Sequence, residues 1–144
     1  MLRARETVYS ALFAKLCEIP DFKTMSRILQ DWNSVPPASQ PALFLAVDNQ
    51  VPEKEYRQPY RWHLKATIWV YALGDGSGAG PMGVINGLLD AIEAALAPDS
   101  SAPLACTLGG ICMDCAIVDE IEVGEDAKNS NQGIAIIPIE IVVT

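Results

Sequence analysis

Residues 61–73, RWHLKATIWVYAL, alternate without a break. Successive side chains of an extended chain point to opposite faces. Trp62, Leu64, Ala66, Ile68, Val70 and Ala72 therefore share one face, and His63, Lys65, Thr67, Trp69 and Tyr71 share the other. This is a long, half-buried antiparallel strand. Its second face carries two large aromatics, and such a face calls for a cover, from within the chain or from another subunit.

The rest of the chain is read around that strand. Residues 3–17 place Ala4, Val8, Ala11, Leu12 and Leu16 at helical spacing, and Pro20 stops the helix. Residues 21–35 fit a helical turn or an extended piece equally well. PPASQP at 36–41 is a loop, and ALFLAVDN after it has strand length and composition. Residues 50–60, QVPEKEYRQPY, are polar and read as an exposed hairpin loop. GDGSGAGP at 74–81 leads into a second helix over 82–98, with Val84, Leu88, Ala91, Ile92, Ala95 and Leu96 on one stripe and Pro98 at its end.

A polar loop at 99–103 precedes a short extended piece at 104–108. One strand is expected from about Met113 to Val123, with Cys112 and Cys115 facing opposite ways at its start. A polar turn over 124–133 leads to a terminal apolar strand. Pro138 within that strand favours an edge position or a bulge, since proline lacks the ladder N–H. The pattern is α+β: an antiparallel sheet of four to five strands with two main helices packed on one face. The 144 residues suffice for one domain, 1–144, with a buried core.

Charge and length exclude some functions. The net charge of −8, with 18 acids against 10 Lys and Arg, argues against general electrostatic binding to a nucleic-acid backbone. No apolar run reaches the length of a membrane span. The first residues read as an amphipathic helix rather than a signal peptide, which points to a reducing compartment and reduced cysteines.

Three constellations are candidates for chemistry. Cys106, Cys112 and Cys115 are spaced C-x5-C-x2-C. A structural zinc site needs four converging ligands, and one CxxC with Cys17 and the single His63 as further candidates is a poor set. Buried filler is the plainer role for these thiols. The 74–81 glycines lack both the spacing of a dinucleotide loop and the Lys and Ser/Thr of a phosphate loop. Asp119, Glu120 and Glu122 alternate sides on a strand, and no nucleophile elbow is present. Nothing in the sequence demands an enzyme, a metal or a cofactor.

Four stretches, taken in order, carry a resemblance. They are RETVYSALFAKL, WNSVPPASQPALFLAVDN, INGLLDAIEAAL, and TLGGICMDCAIVDEIEVGED running into GIAIIPIEIVV. Together they cover nearly the whole chain, which resembles the tail terminator (tail completion, minor tail) proteins of long-tailed bacteriophages. The cysteine cluster departs from that family's pattern.

The resemblance implies a non-enzymatic subunit that forms a homo-oligomeric ring, typically a hexamer. Such a ring caps the tail tube, ends its elongation and offers the surface that joins the head–neck connector. It implies a virion tail protein, present in the host cytoplasm during assembly, with no cofactor and no membrane. DNA would only pass through the channel, without specific binding, and an acidic chain suits that. Expected partner contacts fall on Glu53, Lys54, Glu55, Tyr56 and Arg57, and expected subunit contacts on Trp69, Tyr71, Ile139 and Ile141. The alternatives are a head-closure or neck connector protein and, in a different class, a small metal- or thiol-dependent protein built on the cysteines.

Overall fold

The computed structural model describes residues 4–99, 104–126 and 131–144. The expected helix start at Arg3, most of the 99–103 loop and residues 127–130 of the 124–133 turn lie outside the described residues. In chain order the elements are helix α1 (Arg5–Cys17), strands β1 (Thr24–Ser26), β2 (Ala42–Glu53) and β3 (Arg61–Leu73), helix α2 (Gly80–Ala95), and strands β4 (Asp114–Ile117), β5 (Glu122–Glu125) and β6 (Gln132–Val143). Two single 3-10 turns, Trp32–Ser34 and Pro37–Ser39, lie between β1 and β2. The α+β expectation holds.

Among the described residues the sheet has six strands rather than four or five, in the order β1-β2-β3-β6-β4, with β5 also paired to β6. β1 adds a short parallel pairing to β2, Thr24↔Ala42 through Ser26↔Phe44. Its neighbour β2 forms the antiparallel hairpin with β3, interrupted by a register shift between Val47 and Gln50. β3 pairs with β6 along its whole length but one residue, from Trp62↔Val143 to Leu73↔Gln132.

Two expectations about the last strands are corrected together. β6 is interior, and the strand expected over 113–123 is cut into β4 and β5. β4 pairs with residues 139–142 and β5 with 133–136, so Pro138 falls at the break. The N–H and C=O of an antiparallel residue point to the same side. The Pro138 carbonyl accepts from Val118 N–H at 3.3 Å, so its missing N–H also faces the break. An interior strand accepts proline here because the ladder is already interrupted: the residue opposite, Val118, lies past the end of β4 and is half-exposed. Asp119 sits in that break, exposed, its Oδ1 accepting from Glu120 N–H at 2.7 Å.

Both helices pack on one face. α1 buries Val8, Tyr9, Leu12 and Leu16, and α2 buries Pro81, Ile85, Leu88 and Ile92. They meet Leu43 and Leu45 of β2, Leu64, Ala66, Ile68 and Val70 of β3, and Ala135, Ile137, Ile139 and Ile141 of β6. Each fully buried Leu or Ile contributes about 2 kcal/mol relative to exposure. The stripes differ in detail from the expected ones: Ala4 is exposed, Tyr9 joins the α1 face through a 3.0 Å hydrogen bond to the Lys65 carbonyl, and Ile85 replaces Val84 as the buried α2 residue. α2 starts close against β6. A Cβ at Gly133 would lie 3.1 Å from both Pro81 Cβ and Ile85 Cγ1, tighter than ordinary contact.

The opposite face carries a smaller core of Val35, Ala42, Phe44 and Tyr71, with Trp32, Trp69 and Ile134 packed against it. The cover is the segment between β1 and β2, a coil carrying the two 3-10 turns. Tyr71 Oη donates to the Gln30 carbonyl at 2.7 Å, and Gln40 Nε2 donates to the Val35 carbonyl at 3.2 Å. The even choice between helix and strand over 21–35 thus resolves into a three-residue strand and a folded-back coil.

Candidate functional site

The β2–β3 hairpin extends into an arm, residues 51–60 all being exposed. Its base is strand rather than loop, since the pairing continues to Glu53↔Arg61. At the tip, Gln58 N–H bonds the Glu55 carbonyl at 3.0 Å, and Arg57 takes a left-handed φ of 63°. That backbone is costly for a residue with a Cβ and is met in tight turns.

Aromatic rings and cations alternate along the arm. The Arg57 guanidinium lies 5.1 Å from the Tyr56 ring centroid, and Lys54 Nζ lies 5.2 Å from that of Tyr60. Tyr60 stacks on Trp62 at 5.9 Å, and Arg5 of α1 caps the Trp62 ring at 4.5 Å. Arg5 also donates to Gln50. These contacts stiffen the arm's base, while Tyr56 remains 84% exposed at the tip.

A second feature of the base was not read from the sequence. His63 spans two carboxylates on the outer sheet face: Nε2 to Glu53 Oε2 at 2.6 Å and Nδ1 to Glu140 Oε1 at 2.9 Å. The Glu53 carboxylate, then that of Glu140, pushes the His63 pKa up, and His63 holds the Glu53 pKa down. When doubly protonated the ring donates to both, and one imidazolium then joins β2, β3 and β6. The histidine's place on the polar face of its strand was visible, but its partners depend on strand register.

The expected contact residues separate into two groups. Glu53, Lys54, Glu55, Tyr56 and Arg57 all lie on the exposed arm, with Glu53 engaged by His63. Ile139 and Ile141 are corrected: they lie on the helix side of β6, at 1% and 0% exposure, and are used within the chain's own core. Tyr71 is corrected likewise, being buried beneath the chain's own segment. Trp69 is half-buried at the margin of that cover. The face of β6 left toward the outside carries Ile134, Ile136, Pro138, Glu140 and Val142, all half-buried.

Cys106, Cys112 and Cys115 are buried in one core, so the expected opposition of Cys112 and Cys115 is corrected. Cys112 precedes the strand, in a turn closed by the N–H groups of Gly110, Ile111 and Cys112 on the Thr107 carbonyl. Strand alternation therefore does not govern its direction. The left-handed φ values of Leu108, Gly109 and Gly110 explain the glycine pair there. The turn also replaces the extended piece expected at 104–108. Burial pushes the Cys106 and Cys115 thiols up and Cys112 up to about 12. They are thiols at neutral pH, with Cys112 Sγ donating to the Cys106 carbonyl at 3.5 Å. Among the described residues no group of His, Cys, Asp and Glu is arranged to hold a metal ion.

The architecture is thus an α+β sheet with helices on one face and a projecting arm. No family model matches the chain, and no curated protein matches it. Among solved structures it is similar to a chain carried under a serial designation with no functional wording, at 16% identity, covering 96% of this chain and 95% of that one, with a TM-score of 0.50. That likeness concerns the fold alone.

Proposed function

We propose that the chain is a phage tail terminator, a structural subunit whose closed ring caps the tail tube and offers the head-joining surface. The observation that carries this reading is the division of the molecule's surfaces. One sheet face is sealed by both helices, the other is only partly covered, and a ten-residue exposed arm stands at one end. The buried thiols are held in their unreactive form. This is the anatomy of a part that works through contacts, and the order of the four sequence stretches supplies the class of contact. The net charge of −8 suits a ring through which DNA slides.

Negative-stain imaging and light scattering on the purified protein test the reading. Closed rings that bind the ends of tail tubes are expected. A strict monomer at high concentration, with or without tubes, would overturn it. Rings that cap a portal complex and ignore tubes would assign the chain to head closure instead.

A further inference from the structure

The tip of the arm and the far edge of the sheet carry groups that can meet. At that edge β5 is exposed throughout, and its Glu122, Val123, Gly124 and Glu125 border a groove of about 220 Å³ floored by Ile134 and Ile136 of β6. The floor is apolar, and the edge is acidic on both faces: Glu122, in register with Ile136, lies on the face of the floor, and Glu125, in register with Gly133, lies on the helix side. Residues 119–126, DEIEVGED, hold five of the chain's 18 acids. The arm is the counterpart: residues 51–60 balance Lys54 and Arg57 against Glu53 and Glu55, so it is neutral where the edge is acidic, and Arg57 sits at its tip. At the tip an exposed tyrosine ring lies beside a guanidinium. An aromatic ring seats on an apolar floor while the adjacent cation meets the acidic edge.

The arm cannot serve its own groove. Ile134 and Ile136 pair with Tyr71 and Trp69, whereas the arm leaves the sheet at Arg61. The roughly eight strand residues between them span about 26 Å before the tip begins. The two surfaces also lie on opposite sides of the strand order, the arm at β2–β3 and the groove at β5–β6. Two copies that each carry −8 repel in general, so a stable contact between them needs a local cation to meet a local acid.

We infer that Tyr56 and Arg57 of one copy dock in the groove that Glu122 borders over Ile134 and Ile136 of the next. The inference rests on the ring reading and names its joint. The contact is heterologous: the donor surface of each copy differs from its acceptor surface, so copies add head to tail and close when the rotation permits. Trp69, beside the groove floor in register with Ile136, lies at the margin of the same joint.

The test uses two variants of the full chain, Arg57→Glu and the double variant Glu122→Lys/Glu125→Lys. All three positions are exposed, and circular dichroism with a thermal melt checks that each variant is folded. Sedimentation of each variant alone should show loss of the wild-type ring. An equimolar mixture should regain it. The acid introduced at the arm tip of one variant then meets the cations introduced at the groove rim of the other, while the unaltered Arg57 of the second meets the native acids of the first. Wild-type rings that persist unchanged in either variant, or a mixture that stays dissociated, would overturn the joint and leave the ring reading standing. A wild-type protein that forms no ring at all would overturn the ring reading itself, and the joint with it.

Discussion

His63 sits between Glu53 and Glu140, which favour its charged form, and its two hydrogen bonds tie the arm to the body. A histidine whose folded-state pKa is raised contributes stability that is complete below its unfolded pKa and is lost as pH rises through the folded one. Stability should therefore be fully present below the ordinary histidine pKa of about 6.5 and fall as pH rises above it and the ring deprotonates. His63→Gln should flatten that fall in a series of thermal melts. An unchanged slope in the variant would show that another group titrates. Glu53 acts in the opposite sense: its pKa is lowered, so its share is present above the ordinary carboxylate range and fades in acid.

The thiols make a second prediction at this scale. Cys17 is exposed and the other three cysteines are buried. A native protein should yield one fast-reacting thiol with a disulfide reagent, and four after denaturation. Two or more fast thiols would favour the thiol-dependent class. The burial was legible from the residue type, but the convergence of Cys106, Cys112 and Cys115 was not. It arises because Cys112 sits in a glycine-formed turn, where strand alternation does not apply.

At the scale of elements, the segment from Arg27 to Pro41 shows how a mostly irregular stretch is fixed. It is anchored by Arg27 on Glu6, by Tyr71 Oη on the Gln30 carbonyl and by Val35 in the small core. Tyr71→Phe keeps the ring and removes the hydroxyl, which should cost about 1 kcal/mol and leave the Gln30 carbonyl without that partner. Hydrogen exchange should speed up around Trp32–Gln40 and little elsewhere. A uniform loss of protection would mean that the segment is not a separate unit.

The long elements were legible because they are periodic. β3 follows strict alternation, and α2 combines a stripe with proline punctuation at both ends. What escaped depends on neighbours. β1 is three residues long and exists only because β2 lies beside it. Pro138 reads as an edge residue by the ordinary rule. It becomes an interior one because β4 and β5 stop short on either side of it, a matter of register that no local pattern encodes. The arm was read correctly as exposed, but its stacked rings and His63 clamp bring together residues from β2, β3, β6 and α1.

For the molecule as a whole, the main core is one continuous layer between the sheet and both helices. Ile137 lies at its centre, fully buried and paired with Ile68. Ile137→Ala should cost about 2–5 kcal/mol through lost transfer energy and the cavity left behind. Chemical denaturation reads this directly, and a loss below about 1 kcal/mol would mean the core closes over the gap far more easily than such layers do. The arm and the β5 edge lie outside that layer, so their substitutions should alter assembly and leave the melting temperature nearly unchanged.

The sheet order carries a consequence in time. β6 follows every other strand in the sequence, yet it lies between β3 and the β4–β5 pair. While the ribosome is still delivering residues before Gln132, β3 has one long open edge and neither β4 nor β5 has a partner. Such pairings across long sequence separations form late, and an open apolar edge invites wrong partners. The nascent chain therefore has to wait with its middle vacant, and the sheet closes only when the strand made after all the others slides into the gap.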